Sequence, residues 1–154
     1  SYSSVQNPDL LETEFTNLSE VLKREINKSR QHFLVLNIPS TYRNLLSLDI
    51  IDDYSLGYAT TPGFRAGTSR PFYFYDLDMD AQTHLKLHPF VFMETAFKYG
   101  SGMEDYKYIV KQVKKSGGNM VLLWNNESYA EKVLEKDGIK VYEELVRIGL
   151  AKDN

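Results

Sequence analysis

The chain has 154 residues and no cysteine. That absence removes disulfides, thiolate nucleophiles and cysteine-ligated zinc in one step, and it suits a reducing compartment. Long apolar runs are also lacking, and none approaches the ~20 residues that span a bilayer. Ser1-Tyr2-Ser3-Ser4 carries neither a basic n-region nor an apolar h-region, so no signal peptide is visible. The lack of cysteine and of a visible signal peptide together favour a cytoplasmic location. The formal net charge of -3 leaves no basic footprint for nucleic acid. There is no Gly-x-Ser-x-Gly elbow for a serine hydrolase, and no Walker or dinucleotide fingerprint. Gly63 to Gly67 is too short to cradle a phosphate and lacks the lysine.

What is present is ordinary for a globular chain: 42% hydrophobic and 25% charged residues, enough length for a real core, and one domain as the expectation over 1–154. Aromatics stand out, with 11 Tyr and 8 Phe. They serve either a core and surface that simply use aromatics or a sugar-facing groove, and their number alone does not choose. Asn7-Pro8 opens a helix predicted over 9–28, with Leu10, Leu11, Phe15, Leu18, Val21, Leu22 and Ile26 at three- and four-residue spacings. His32-Phe33-Leu34-Val35-Leu36 reads as a short buried strand. Pro39-Ser40 opens a second helix, and Phe72 to Tyr75 reads as a strand. Leu85 to Phe90 reads as another extended segment, broken by Pro89. Ser101 with Glu104 matches a capping box for a helix that stops at Gly117-Gly118. Met120 to Trp124 is a further buried strand. The charged stretch Ala130 to Asp137 precedes a last amphipathic helix. Helices and apolar strands alternate, which points to an α/β architecture with parallel strands near 32–36, 53–58 and 119–124.

The densest chemistry lies in Asp53-Tyr54-Ser55-Leu56-Gly57-Tyr58, Gly63-Phe64-Arg65-Ala66-Gly67-Thr68, Pro71-Phe72 and Tyr75-Asp76-Leu77. Glycines let backbone approach a ligand, arginine offers a fork for carboxylate or phosphate, and exposed aromatics stack on sugars. A tight β-rich turn with a structural Arg–Asp pair would use the same residues. His84 and His88 have the His-x3-His spacing. In the extended pattern His-Leu-Lys-Leu-His-Pro they would lie on the order of 13 Å apart, too far for one metal. His32 falls two residues from Arg30, on the same side of a strand. It is either a buried, hydrogen-bonded histidine or a residue near substrate.

Several of these motifs, in this order, resemble the second half of the bacterial polysaccharide deacetylases. They are Ser29-Arg30-Gln31-His32-Phe33-Leu34, Tyr42 to Ile50, the Asp53–Tyr58 and Gly63–Thr68 runs, Pro71 to Leu77, and Leu123-Trp124-Asn125-Asn126-Glu127-Ser128. The resemblance covers roughly Ser1 to Ser128. It implies the second half of a distorted (β/α) barrel whose sites sit at the C-terminal ends of strands. It implies hydrolysis of N- or O-acetyl groups of a glycan, helped by a divalent, zinc-like metal. By the family's pattern Arg30 and Arg65 are alternatives for the arginine that orients the catalytic carboxylate. Asn125 stands where the family has its acid histidine, in Leu-Trp-His-Asn. His32, Asp53, Tyr54, Phe72, Tyr75 and Trp124 would line the substrate groove, although Trp124 also fits a core anchor. The family's early Thr-Phe-Asp-Asp motif and metal-binding histidine have no counterpart here, and Asp52-Asp53 comes too late in the order. No tightly held zinc is therefore expected in this chain alone, and a missing N-terminal segment or a homo-oligomer is expected to cover the open half. An amide at 125 has no proton to give, so the alternative reading is a non-catalytic glycan-binding or structural module.

Overall fold

The computed structural model describes residues 3–133 and 136–151. Ser1 and Tyr2, and Leu134 and Glu135 of the charged stretch, lie outside them. The chain forms two compact units, Ser1–Leu56 with Pro71–His88, and Gly57–Arg70 with Pro89–Asn154. The fold is mixed α/β with small sheets, none of them closed among the described residues.

In the first unit, helix α1 (Pro8–Leu22) is capped by Asn7, whose side chain accepts from the Leu10 N–H at 3.1 Å, with proline in the first turn. It ends earlier than the periodicity predicts, because Lys23 adopts a left-handed conformation (φ 50°) that breaks the ladder. Strand β1 (Lys28–Ser29), helix α2 (Ser40–Leu46) and strands β2 (Asp52–Asp53), β3 (Phe72–Asp76) and β4 (Ala81–Leu87) follow. They make a four-stranded sheet in the order β1-β2-β4-β3. β1, β2 and β4 run parallel, and β3 closes a hairpin antiparallel to β4. Its core is Tyr42, Leu45, Ile50, Leu56, Phe74, Leu85 and Leu87, with Phe15, Ile26 and Phe72 packed on it.

Two predicted strands differ from the structure. The 32–36 strand is instead a 3₁₀ turn at His32–Leu34, with Phe33 and Leu34 both left-handed (φ 54° and 56°). The sheet takes its strand four residues earlier, at β1. The predicted 53–58 strand is only β2. Past it the Asp53 carboxylate accepts from the Ser55 N–H at 3.0 Å, a local side-chain turn that competes with ladder hydrogen bonds.

In the second unit, strands β5 (Phe92–Met93) and β6 (Leu122–Leu123) pair in parallel. Strands β7 (Lys132–Val133) and β8 (Lys136–Asp137) pair antiparallel. Helices α3 (Thr95–Lys98), α4 (Met103–Ser116) and α5 (Gly138–Leu150) complete the unit. Val91, Phe92, Ala96, Phe97, Tyr106, Val110, Val133, Val141 and Leu145 form its core. α4 starts one residue later than the sequence suggests. The Gly102 N–H donates to the Asp105 carboxylate at 2.8 Å, so Asp105 rather than Glu104 closes the cap. It stops where predicted, at left-handed Gly117 (φ 60°), with the Gly118 N–H returning to the Val113 carbonyl.

Candidate functional site

Parallel strands present their C-terminal ends along one edge, and the first unit places three of them side by side. β1 ends in Ser29 and leads into Arg30. β2 ends in Asp53 and leads into Tyr54, and β4 ends in Leu87 and leads into His88. The backbone stitches these ends together: the Tyr54 N–H donates to the Ser29 carbonyl at 2.9 Å, and the His88 N–H to the Asp53 carbonyl at 2.8 Å.

Asp53 is fully buried at the centre of this edge. Its carboxylate accepts from the Ser55 N–H (3.0 Å) and the Ser55 hydroxyl (2.8 Å), and the same hydroxyl accepts from the Gln31 N–H at 2.8 Å. Burial raises the Asp53 carboxyl above its ordinary value, opposed by the Ser55 bonds, by Ser29 and by the charge of Arg30. Arg30 Nε donates to the Tyr54 carbonyl at 3.3 Å. Partial desolvation pulls its guanidinium below the ordinary value and Asp53 pulls it back up, so Arg30 remains a cation at neutral pH. Arg30 and Asp53 lie close enough for their charges to interact, though no hydrogen bond joins them.

The neighbouring pair was not visible in the sequence. His88 Nε2 meets Asp52 Oδ1 at 2.6 Å, and the Tyr54 ring stacks on the imidazole with centroids 4.4 Å apart and planes 13° from parallel. Asp52 and His88 lie 36 positions apart, and only parallel pairing of β2 with β4 brings them together.

Of the other residues assigned from sequence in this unit, Phe72 pairs with the residue that ends β4, beside this edge. His32 is exposed beyond the strand ends and stacks on Phe33 at 4.3 Å. It shares no strand with Arg30, because the predicted strand is a turn. Phe72 sits opposite Leu87, half-buried against the core. Tyr75 lies nearer the other end of the hairpin, where its hydroxyl donates to Asp80 at 2.5 Å. His84 is exposed on β4, an extended strand, as the sequence predicts.

The second unit repeats the strand-end theme in miniature. β5 leads into Glu94 and β6 into Trp124 and Asn125. Asn125 Nδ2 donates to Glu94 Oε1 at 2.7 Å, and the Ser128 hydroxyl donates to the same oxygen at 3.3 Å. Glu94 is buried, and its second oxygen, Oε2, has no hydrogen-bond partner among the described residues; nor has the buried Trp124 Nε1. The Trp124 ring lies against Phe97, Tyr129 and Tyr142 and packs, half-buried, against the core. Sequence reasoning missed Glu94. The signal was there: a carboxylate directly after the apolar run Phe90 to Met93, just as Asn125 follows Met120 to Trp124. Arg65 is exposed in a turn closed by the Gly67 N–H on the Phe64 carbonyl, and no described residue bonds to it.

A divalent ion needs several converging donors. Among the described residues, no group of three His, Cys, Asp or Glu side chains is placed to hold one. Asp52 and His88 already bond each other. The described residues thus do not fit the zinc-like ion that the resemblance implies. No helix among the described residues is long and apolar enough to cross a membrane. Comparison with protein-family models, with curated proteins and with solved structures found no match to this chain.

Proposed function

We propose that this chain takes part in the hydrolysis of N- or O-acetyl groups of a glycan, as the polysaccharide deacetylases it resembles do. One observation carries the reading. Three parallel strands that are neighbours in one sheet end together in Arg30, Asp53–Tyr54 and His88, a cation, a buried carboxylate and a stacked aromatic–imidazole pair. A sugar ring suits the aromatic face, and an acetyl carbonyl suits the cation and hydrogen-bond donors.

A second reading, a non-catalytic glycan-binding module, is favoured by Asn125. Its amide is held by the Glu94 carboxylate and has no proton to release near neutral pH. Acetate release from an N-acetylglucosamine tetramer and from an O-acetylated xylan, each with and without added zinc, separates the two. Release supports hydrolysis. Binding of the tetramer without release supports the second reading, and neither binding nor release refutes both. Asn125→His would set an imidazole beside the buried Glu94 carboxylate. If a missing acid limits the reaction, the rate rises by up to ~10²–10⁴-fold. An unchanged rate places the acid elsewhere.

A further inference from the structure

We propose that His88 is the proton-transfer residue of the first unit's strand-end site, with Asp52 and Tyr54 as its positioning residues. The proposal rests on the acetyl-hydrolysis reading above and assigns it a base that the sequence had not singled out.

Of the three histidines in the chain, His88 is the one with an acidic partner among the described residues. His32 stacks on Phe33, and His84 stands exposed on β4. The carboxylate of Asp52 can only accept, so the 2.6 Å contact places a proton on Nε2 of His88. In the neutral ring this leaves the lone pair on Nδ1. Nδ1 bonds to no described residue. The side chains of His88 and Asp52 are 17% and 20% exposed, enough for contact with a ligand and too little for free rotation. The Tyr54 ring, stacked at 4.4 Å, fixes the imidazole plane. An acid holds one ring nitrogen, an aromatic fixes the plane, and the other nitrogen, at a strand C-terminus, bonds to no described residue: this is the geometry of an oriented general base.

The step balances without an oxidant, a reductant or a second substrate. Water attacks the acetyl carbonyl carbon and His88 Nδ1 takes its proton. The carbon–nitrogen bond (or carbon–oxygen bond of an ester) then breaks, and the imidazolium returns the proton to the departing amine or alkoxide. The products are acetate and the free amino sugar or hydroxyl. The charged and titratable groups facing the ring are Asp52 and Tyr54, which touch it, and Lys28 and Lys86, which flank Asp52 on the neighbouring strands; Asp53 and Arg30 follow at the same edge.

The test is acetate release from the N-acetylglucosamine tetramer by the full chain and its variants, with kcat and KM followed over pH. His88→Gln is expected to lower kcat by ~10²–10⁴-fold with KM little changed, and to abolish the acid limb of the profile. Asp52→Asn is expected to lower kcat by at least about tenfold and to move that limb, while His84→Gln leaves the rate unchanged. Imidazole added to His88→Gly is expected to restore part of the rate. If the wild-type chain releases acetate and His88→Gln does so equally well, the proposal is overturned and the hydrolytic reading stands. If the wild-type chain releases acetate from neither the tetramer nor the O-acetylated xylan, both fall. Should the variants fail to fold, nitrogen NMR of the wild-type ring decides. Protonation at Nε2 with an Nδ1 signal that shifts on adding the tetramer supports the proposal, and an Nδ1-protonated neutral ring overturns it.

Discussion

Gly57 lies inside the Asp53–Tyr58 run, and its hydrogen atoms face the ring of Phe90. A Cβ at this position would fall 2.4 Å from Cε1 and Cζ of that ring and 2.6 Å from Cδ1. Ordinary carbon–carbon contacts are about 3.5–4.0 Å, so ring or backbone must yield by roughly 1 Å. Phe90 is 0% exposed, so the ring cannot swing out into solvent. The Gly57 backbone itself is open to alanine, since its φ is not positive. Gly57→Ala is therefore a steric test, free of backbone strain. Overpacking costs about 1–3 kcal/mol, and the stiffer unfolded chain returns about 0.4–1 kcal/mol. The balance is a loss of roughly 1–2 kcal/mol, or a fall of roughly 2–8 °C in Tm for a chain of this size. Trp124, the single tryptophan, belongs to the same unit and reports unfolding by fluorescence in urea. Shrinking the ring with Phe90→Leu should cut the cost of Gly57→Ala, giving a coupling of at least about 0.5 kcal/mol in a double-mutant cycle. An unchanged or higher midpoint for Gly57→Ala would refute the close-approach argument.

Gly138→Ala should cost more than Gly57→Ala, because its Cβ would fall 1.7 Å from the Ser128 backbone oxygen and neither side of that contact is a movable side chain; an equal or smaller urea-midpoint shift would contradict this. Tyr106→Phe removes a 2.7 Å bond to the Leu145 carbonyl and should lower stability by about 1 kcal/mol. Burial pushes the Tyr106 phenol from 10.0 up to about 12. Its raised folded value means that its contribution is complete below pH 10 and is lost as the pH climbs towards 12. Midpoints measured across that window should fall in the wild type and fall less in Tyr106→Phe. The Asp53 carboxyl is raised above its ordinary 3.8 by burial, so the folded state holds that proton more tightly and stability drops as pH rises through and above 3.8. In Asp53→Asn that component of the pH profile should be missing, and an identical profile would argue against the buried carboxylate.

The long helices were legible because their apolar residues repeat with the helical period and their ends carry the right punctuation. Asn7-Pro8 opens α1 and Gly117 closes α4. The 32–36 segment was not. Five apolar or aromatic residues in a row satisfy strand and turn patterns equally. What decided the matter was β1's pairing with β2, a long-range register that no local pattern contains. The same limit governs the candidate site. Arg30 and Asp53 could be singled out by residue type and motif order. The contacts of His88 with Asp52, and of Glu94 with Asn125, arise from parallel strands joined by long crossovers, and parallel register is silent in the sequence.

The division of the chain has a further consequence. Unit one runs to Leu56, leaves for Gly57–Arg70, and resumes at Pro71; unit two is that excursion together with everything after His88. Neither unit is a contiguous stretch, so no single cut releases one of them whole. A fragment ending at His88 would carry the excursion as an orphan, with Phe64 stripped of the core it packs against. For anyone dividing, swapping or circularly permuting this protein, each unit is two separate stretches of chain, and both stretches are needed to complete it.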